Sequence, residues 1–135
     1  RAQHTHVAVI HDSDAHRHAQ LANDFSAHLY IGIESRDTSV CDVAYYHTDG
    51  FHSVAGHVFA TLAAEAIERS APWFAPTVNG TRLQVLRETI MPAVVCGFGP
   101  VPRIIPHCAV IADDITNAMS IWVKTTSMKL GVHEN

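Results

Sequence analysis

The chain has little charge, and basic residues are its scarcest charged class. Only 16% of its 135 residues are charged, with 9 Lys and Arg against 13 Asp and Glu, and the formal net charge is -4 with histidine neutral. The scattered basic residues argue against a nucleic-acid-binding surface. No apolar run is long enough to span a bilayer, so no transmembrane segment is predicted. Hydrophobic residues still make up 47% of the chain, which suits one compact domain and argues against disorder.

Cysteine is also scarce, with only Cys41, Cys96 and Cys108. The absence of any CxxC spacing gives no support to a zinc knuckle or a redox motif. All three lie among apolar residues and are predicted to be small buried hydrophobes, with one disulfide and one leftover thiol as the alternative. The odd number slightly favours a reducing compartment.

An N-terminal signal is missing as well. The chain begins with "RAQHTHV" and without Met, so we expect it to be processed or trimmed, and the missing signal says little about compartment.

Histidine is the residue in excess, with eleven in the chain. On a strand, His4 and His6 would face the same side and could share a metal ion. On a helix, His16 and His18 would point apart and would not chelate together. We interpret most histidines as surface or cap residues and expect no metal site.

Apolar periodicity predicts alternating strands and helices, and hence an α/β layered fold with a largely parallel or mixed sheet flanked by helices. The predicted strands are Val7–Ile10, residues 27–33, Val40–His47, the segment "RLQVL" and a central buried strand in "PAVVCGFG". The predicted helices are residues 15–25, a helix that Ser53 caps and that ends before Pro72, and residues 108–123. Residues 1–126 form the predicted domain and residues 127–135 a loose tail.

The segment "PWFAPTVNGT" is predicted to be a long loop, because it holds two prolines and an Asn-Gly turn signal. Its aromatic residues, Trp73 and Phe74, belong either to the core or to an exposed patch that contacts a partner. A loop of this length in a compact domain is often functional.

Three segments together carry a resemblance to a known family. "IHDSD" is similar to T-R-D-x-D, "AQLANDFSAHLYIGIES" to R-x-x-x-A-N-x-x-x-A-D-L-x-I-S-I-H-A-N, and "LQVLRETIMPAVVCGFG" to L-x-V-L-R-x-T-x-M-P-A-V-L-V-E-x-G. "VLRETIMPAVV" is the most specific match. In these motifs the chain resembles the zinc-dependent N-acetylmuramoyl-L-alanine amidases of the type-3 class, which cleave the bond between muramic acid and the peptide stem of peptidoglycan.

The same alignment identifies departures at the positions that carry the chemistry. The family's zinc-binding histidine aligns with Glu34, and its catalytic glutamate aligns with Gly97. The family's first strand and helix, which provide two more zinc ligands, have no counterpart before "IHDSD". We therefore expect an amidase-like domain whose first strand-helix unit is missing.

A hydrolytic zinc site needs about three protein ligands, an open position for water and a base. Glycine cannot transfer a proton, so no catalytic residue and no cofactor are expected here. Four residues are expected to rim the former substrate groove: Glu34, Arg36, Arg87 and Glu88. A simpler interpretation of Glu34 is a carboxylate at a strand end, paired with Arg36 or Arg87. A simpler interpretation of Arg87 and Glu88 is an exposed ion pair. His28 lies too far along the strand to share a metal with Glu34, whereas His47 or His52 could approach it.

The resemblance implies a non-catalytic binding or regulatory domain in bacterial peptidoglycan metabolism, acting outside the cytoplasmic membrane. A cytoplasmic location stays open. Another cell-wall protein or peptidoglycan is the expected partner, and a homodimer is the alternative cover for exposed apolar residues. The alternative function is a zinc-dependent amidase whose site is completed by residues not in this chain.

Overall fold

The computed structural model describes residues 6–134, and it describes side chains as far as residue 126. His4 lies outside the described residues, so the predicted pairing of His4 with His6 is not addressed by the structure.

Within residues 6–134, five strands and five α-helices follow one another. The strands are β1 (Tyr30–Ser35), β2 (Val40–Thr48), β3 (Phe51–His52), β4 (Thr77–Thr81) and β5 (Ala93–Gly99). The helices are α1 (Ala15–Phe25), α2 (Val54–Ser70), α3 (Gln84–Glu88), α4 (Val101–Ile104) and α5 (Cys108–Glu134), and two 3-10 turns lie at Pro72–Phe74 and Ile105–His107. Among the described helices, none combines the length and apolar character that crossing a membrane would need.

The sheet is mixed, with β5 at its centre. Strand β5 pairs in parallel with β1 on one side and antiparallel with β2 on the other. Strand β4 runs parallel to β2 along its far edge, and β3 folds back on the end of β2 as a hairpin. Every residue of β5 is buried, as the apolar run in "PAVVCGFG" predicts.

Helices cover the two faces of this sheet unequally. Helices α2 and α5 cover one face, where Phe59 and Ile67 are fully buried against alternate residues of β2 and β5. Trp122 of α5 is fixed there by an Nε1–H hydrogen bond to the carbonyl of Ala55. The smaller helices α1 and α3 cover only part of the other face, around Tyr30. The part of that face near the end of β1 is left without a covering helix.

Several predicted elements are confirmed. Helix α2 begins where Ser53 Oγ accepts a hydrogen bond from the Gly56 N–H, and it ends before Pro72. Helix α1 and strand β2 lie where the sequence places them. The layered α/β class with a mixed sheet is confirmed as well.

Other predicted elements are wrong. Residues 7–10 form no strand, and Val7 and Val9 are mostly exposed. An alternating pattern of residues does not ensure that a neighbouring strand is there to pair with, and none pairs with these residues in the described part of the chain. The segment "RLQVL" contributes to helix α3, which buries the adjacent residues Val85 and Leu86 rather than alternate ones. The predicted loop after Pro72 contains strand β4, because pairing with β2 outweighs the Asn-Gly turn signal.

The last helix is longer than predicted, because α5 continues to Glu134 through most of the segment expected to be a loose tail. The division at residue 126 stays a prediction. The thiols of Cys41 and Cys96 are free and buried, as expected, whereas Cys108 at the start of α5 is free and exposed, so the prediction for Cys108 is wrong.

Candidate functional site

Two carboxylates and a glycine lie side by side across the three central strands. In the strand register Glu34 of β1 pairs with Gly97 of β5, and Gly97 pairs with Asp42 of β2. Strand alternation places all three on the face opposite α2 and α5. The two positions that the sequence alignment singles out, 34 and 97, are therefore true neighbours, and Asp42 joins them from the antiparallel strand.

The side chain of Arg36 lies between these two carboxylates. Its Nη2 is 3.2 Å from Glu34 Oε1 and 3.4 Å from Asp42 Oδ1. The Asp42 side chain is only 18% exposed and that of Glu34 is 52% exposed, so the pair with Asp42 is the better shielded from solvent. The predicted pairing of Glu34 with Arg36 is confirmed, and the group carries a formal charge of -1.

Gly97 provides the space that the guanidinium occupies. A Cβ at Gly97 would lie 2.5 Å from Arg36 Nη2 and 2.6 Å from Cζ. Any side chain at this position would have to displace Arg36. Within the described residues, the buried Nε of Arg36 has no hydrogen-bond partner, and the contacts with the two carboxylates are made by Nη2.

The backbone after β1 fixes where Arg36 sits. The Arg36 N–H donates to the carbonyl of Phe98 at 2.8 Å, which carries the β1–β5 ladder one residue beyond the strand. The carbonyl oxygens of Arg36 and Thr38 lie where a Cβ of Gly99 would be. Gly99 is thus required by the close approach of the chain, and this approach holds Arg36 over the sheet.

Tyr30 extends the polar group along β1. Its ring lies over Gly32, and its hydroxyl is hydrogen-bonded to His18 Nδ1 at 2.8 Å. Nε2 of the same imidazole is hydrogen-bonded to the carbonyl of Asp12. Burial, and secondly the negative charge of Glu34, raise the pKa of Tyr30 above its usual value. The Tyr30 hydroxyl is therefore protonated at neutral pH.

The predicted groove residues fall in two separate places. Arg87 and Glu88 belong to α3, which precedes β5, whereas Glu34 and Arg36 lie beside the end of β5. Arg87 lines a separate cleft of about 300 Å³ that also includes Ala93, four residues and roughly 13 Å from Gly97. Arg87 and Glu88, in the helix that precedes β5, thus lie at the opposite end of β5 from Glu34 and Arg36. The expectation that all four residues rim one groove stays a prediction.

Glu88 has its own partners there. Its Oε1 is 2.8 Å from His16 Nδ1, and its Oε2 accepts a hydrogen bond from Gln84. These hydrogen bonds, the one with His16 first, lower the pKa of Glu88. Glu88 also forms an ion pair with Arg87, at 3.6 Å. Its contact with His16 links α1 to α3.

The histidines considered beside Glu34 are distant from it. His47 lies five residues from Asp42 on β2, about 17 Å along the strand. His52 pairs with His47 at that same end of the sheet. The hypothesis of a new site that combines Glu34 with His47 or His52 is therefore wrong.

The two aromatic residues after Pro72 have different environments. Phe74 is buried, and the Arg103 guanidinium lies 4.7 Å from the centre of its ring. Trp73 is 57% exposed, and its carbonyl accepts a hydrogen bond from Arg103. The partner-contact interpretation is wrong for Phe74, and Trp73 alone is accessible.

The sequence pattern around Asp42 contains a signal for its role. Asp42 is the single charged residue within the otherwise apolar and aromatic strand "VCDVAYY", and it alternates with the buried residues Cys41 and Val43. A carboxylate on the second face of a central strand requires a partner. Arg36 provides that partner.

No protein-family model matches the chain, and no curated protein sequence matches it significantly. Solved structures do match. Amidase AmiC2 of Nostoc punctiforme superimposes with a TM-score of 0.64 at 18% identity, over 78% of this chain and 63% of that one. Ami1 of Mycobacterium smegmatis gives 0.66 at 15% identity, over 82% and 61%. The fold is that of the N-acetylmuramoyl-L-alanine amidases.

A third matching structure contains an amidase together with a partner protein. The CwlD amidase of Clostridioides difficile, solved in complex with the GerS lipoprotein, gives a TM-score of 0.65 at 11% identity, over 80% of this chain and 60% of that one. The chain thus spans less than two thirds of the length of these amidases.

As arranged, the group formed by Glu34, Arg36, Asp42 and Gly97 does not fit a zinc ion. Zinc requires about three ligands converging at ~2.0–2.3 Å, but the space between the two carboxylates holds the Arg36 cation, and Gly97 offers no side chain. Among the described residues, no group of three His, Cys, Asp or Glu side chains is placed to hold a metal ion.

Proposed function

We propose that this chain is a non-catalytic amidase-like domain with a binding or regulatory role in bacterial peptidoglycan metabolism. The observation that carries the proposal is the position of the Arg36 guanidinium, over Gly97 and between Glu34 and Asp42. A fixed internal cation balances the carboxylates that would otherwise attract a metal ion. The domain accordingly works without a cofactor.

The absence of a base at position 97 supports the same proposal. Glycine cannot accept a proton from water, and loss of a general base typically costs about 10²- to 10⁴-fold in rate. The nearby Tyr30 hydroxyl has a raised pKa, so it stays protonated at neutral pH and cannot accept a proton from water. Binding, rather than hydrolysis, is the role that these residues support.

The proposed partner is a protein of the cell envelope. Strand β1 pairs only with β5 among the described residues, and its Ile33 is 60% exposed. An exposed strand edge with an apolar residue favours pairing with another chain. The CwlD–GerS complex gives a precedent of an amidase fold bound to a lipoprotein. Peptidoglycan itself and a second copy of this chain are the competing partners, and the location follows as the cell envelope.

Catalysis is tested by incubating the purified chain with purified peptidoglycan and added Zn²⁺, and by measuring released stem peptides. We expect no release above a boiled control. A known amidase treated identically shows that the substrate is competent. Release that depends on Zn²⁺ would overturn the proposal and would favour a zinc amidase; its loss in the Glu34→Gln variant would identify Glu34 as part of the site, and its survival would mean that other residues complete the site.

Binding is tested on the same material. Co-sedimentation with peptidoglycan, light scattering of the chain alone and cross-linking in envelope extracts separate the three partners. The Ile33→Asp variant should lose cross-linking to an envelope protein, whereas Val110→Asp, at an exposed position of helix α5, should retain it. Equal cross-linking by both variants, or sedimentation with peptidoglycan alone, would contradict a protein partner at the β1 edge.

A further inference from the structure

A cleft of about 300 Å³ lies beside helix α3, at the end of β5 remote from Gly97. The buried residues Leu86 and Ala93 lie at its base. Among the described residues that line it, Arg87 alone is charged, and most of the others are apolar or aromatic. A volume of this size is at the lower end of small-molecule sites, so the cleft suits a compact ligand.

Large apolar side chains around this cleft are left in solvent. Ile90 is 81% exposed and Phe51 is 60% exposed. The centre of the Phe51 ring lies 6.1 Å from that of Tyr46, with the planes tilted by 46°, so two aromatic rings line the side of the cleft next to the β2–β3 hairpin. Exposed apolar groups around a concave surface are typical of a binding site.

Hydrogen bonds fix both sides of the cleft. On one side the Asn23 Nδ2–H donates to the carbonyl of Glu88 at 3.0 Å, and Asn23 Oδ1 accepts from the Ile90 N–H at 2.9 Å. On the hairpin side the Ser53 N–H donates to the carbonyl of Tyr46. Because both sides are already ordered, a ligand does not have to order them, which lowers the free-energy cost of binding.

The Arg87 guanidinium is available to a ligand. Its side chain is 56% exposed, and its 3.6 Å contact with Glu88 is longer than an ordinary hydrogen bond. The Glu88 carboxylate does not depend on that contact, because its two oxygens are hydrogen-bonded to His16 and Gln84. Arg87 can therefore turn towards a ligand at little cost, since such an exposed ion pair contributes little.

The charge around the cleft favours a carboxylate ligand. The planar guanidinium matches the two oxygens of a carboxylate with parallel N–H donors. A phosphate monoester carries about two negative charges at neutral pH. Glu88, whose hydrogen bonds with His16 and Gln84 lower its pKa, stays negative beside Arg87. One arginine next to a carboxylate thus suits a singly charged anion better than a phosphate.

We propose that the cleft beside Arg87 binds a compact ligand in which a carboxylate adjoins an apolar group. The carboxylate pairs with Arg87, and the apolar group lies against Tyr46 and Phe51. A free small carboxylic acid and the carboxyl end of a peptide share this chemistry. The cleft lies roughly 13 Å along β5 from Gly97, so it is separate from the Arg36 group and does not rest on the proposed function.

The test is an NMR titration of the ¹⁵N-labelled chain at pH 7 with N-acetylleucine and with its uncharged carboxamide, N-acetylleucinamide. We expect N-acetylleucine to shift the amide signals of residues 86–93 and to bind about tenfold more tightly than the carboxamide. Arg87→Met should abolish this difference. The matched control Arg69→Met, which removes an exposed arginine of α2, should retain it. Phe51→Ala should weaken the binding of both compounds alike, because it removes an apolar contact.

A third compound, 4-methylpentanoate, separates the two sources of the ligand, because it keeps the carboxylate and the apolar group of N-acetylleucine but lacks the amide. Equal affinities for the two acids indicate a free carboxylic acid, and tighter binding of N-acetylleucine indicates the carboxyl end of a peptide. Both results support the site.

Three results would overturn the proposal. The first is absence of binding, or equal affinity for N-acetylleucine and its carboxamide. The second is an unchanged preference for the acid in Arg87→Met. The third is a set of shifted signals confined to the residues around Arg36, which would mean that the acid binds the other guanidinium. Circular dichroism of each variant distinguishes a lost contact from an unfolded chain.

Discussion

The Arg36 guanidinium lies over the Cα of Gly97, in the space that a side chain at that position would fill. In amidase-like sequences this is the position expected to hold the catalytic glutamate. The two residues are complementary: glycine admits the guanidinium, and the guanidinium pairs the neighbouring carboxylates. A substitution of Arg36 or of Gly97 is therefore expected to affect the other residue of the pair.

Removal of the Arg36 charge should destabilise the domain. Arg36→Met keeps most of the apolar stem but leaves Asp42, 18% exposed, beside Glu34 without a counter-ion. We expect a loss of about 1–2 kcal/mol in the free energy of unfolding, measured by urea denaturation at pH 7. The control Glu34→Gln removes the more exposed partner and should cost less than about 0.5 kcal/mol. Equal losses in both variants would show that Asp42 does not depend on Arg36.

Introducing the residues that the amidase motifs have at positions 34 and 97 should not create hydrolytic activity. In the Glu34→His/Gly97→Glu variant the new carboxylate displaces the Arg36 side chain and then pairs with it, so the cation stays in the site. We expect the double variant to remain folded and to release no stem peptides from peptidoglycan with Zn²⁺ present. Adding Arg36→Ala removes the cation as a control. Zinc-dependent release by the double variant would contradict the argument that the Arg36 cation keeps a zinc ion out of the site.

Sequence patterns predicted the parts of the fold that local chemistry determines. The apolar run at Ala93–Gly99 can only be a buried strand, and Ser53 is a strong N-cap before an apolar stripe. Strand β4 was missed because its pairing with β2 is a long-range contact that local propensity does not encode. Helix α3 was missed because its five residues are too few to show a helical period.

The site was partly predictable for the same reason. The motif match aligned Glu34 with a zinc-binding histidine and Gly97 with a catalytic glutamate, and the parallel register shows that the two residues are neighbours. Asp42 arrives from an antiparallel strand, and the Arg36 side chain takes its direction from the turn packed on Gly99. Neither the strand order nor that turn can be derived from sequence spacing. The position of the Arg36 side chain between Glu34 and Asp42 was therefore not predictable.

The close approach at Gly99 should make it intolerant of any side chain. Gly99→Ala would place a methyl group against the carbonyl oxygens of Arg36 and Thr38, and backbone cannot move aside cheaply. We expect a loss of about 1–3 kcal/mol in the free energy of unfolding. Gly50→Ala is the matched control, because nothing lies within 4 Å of a Cβ at that position. Urea denaturation measures the free energy of unfolding of both variants. A difference of less than about 0.5 kcal/mol between Gly99→Ala and Gly50→Ala would show that position 99 tolerates a side chain.

Thiol chemistry should distinguish Cys108 from the other two cysteines. Burial, with the charge of Asp42 a lesser cause, raises the pKa of Cys41 to about 11, and burial raises that of Cys96 to about 12. Only the thiolate reacts, so both should be inert at pH 8. Titration with a thiol reagent should find one reactive group in the native chain and three after denaturation. Cys108→Ser should abolish the native reaction; residual reactivity would mean that the sheet opens around Cys41.

The ionisation of Tyr30 should report on Glu34. Burial is the first cause of its raised pKa and the negative charge of Glu34 the second. A raised pKa means that the folded state holds the proton more tightly. Its contribution to stability is therefore fully present below the unfolded value of about 10, and is lost as the pH rises through the folded value.

In Glu34→Gln we expect the pKa of Tyr30 to fall while staying above that of a free tyrosine, because burial persists. An ultraviolet titration of tyrosinate, with Tyr30→Phe to assign the signal, measures both values. Arg36→Met should raise the Tyr30 pKa further, since it removes the cation that offsets Glu34. An unchanged pKa in Glu34→Gln would show that the carboxylate does not act on the Tyr30 hydroxyl, and that burial alone raises the pKa.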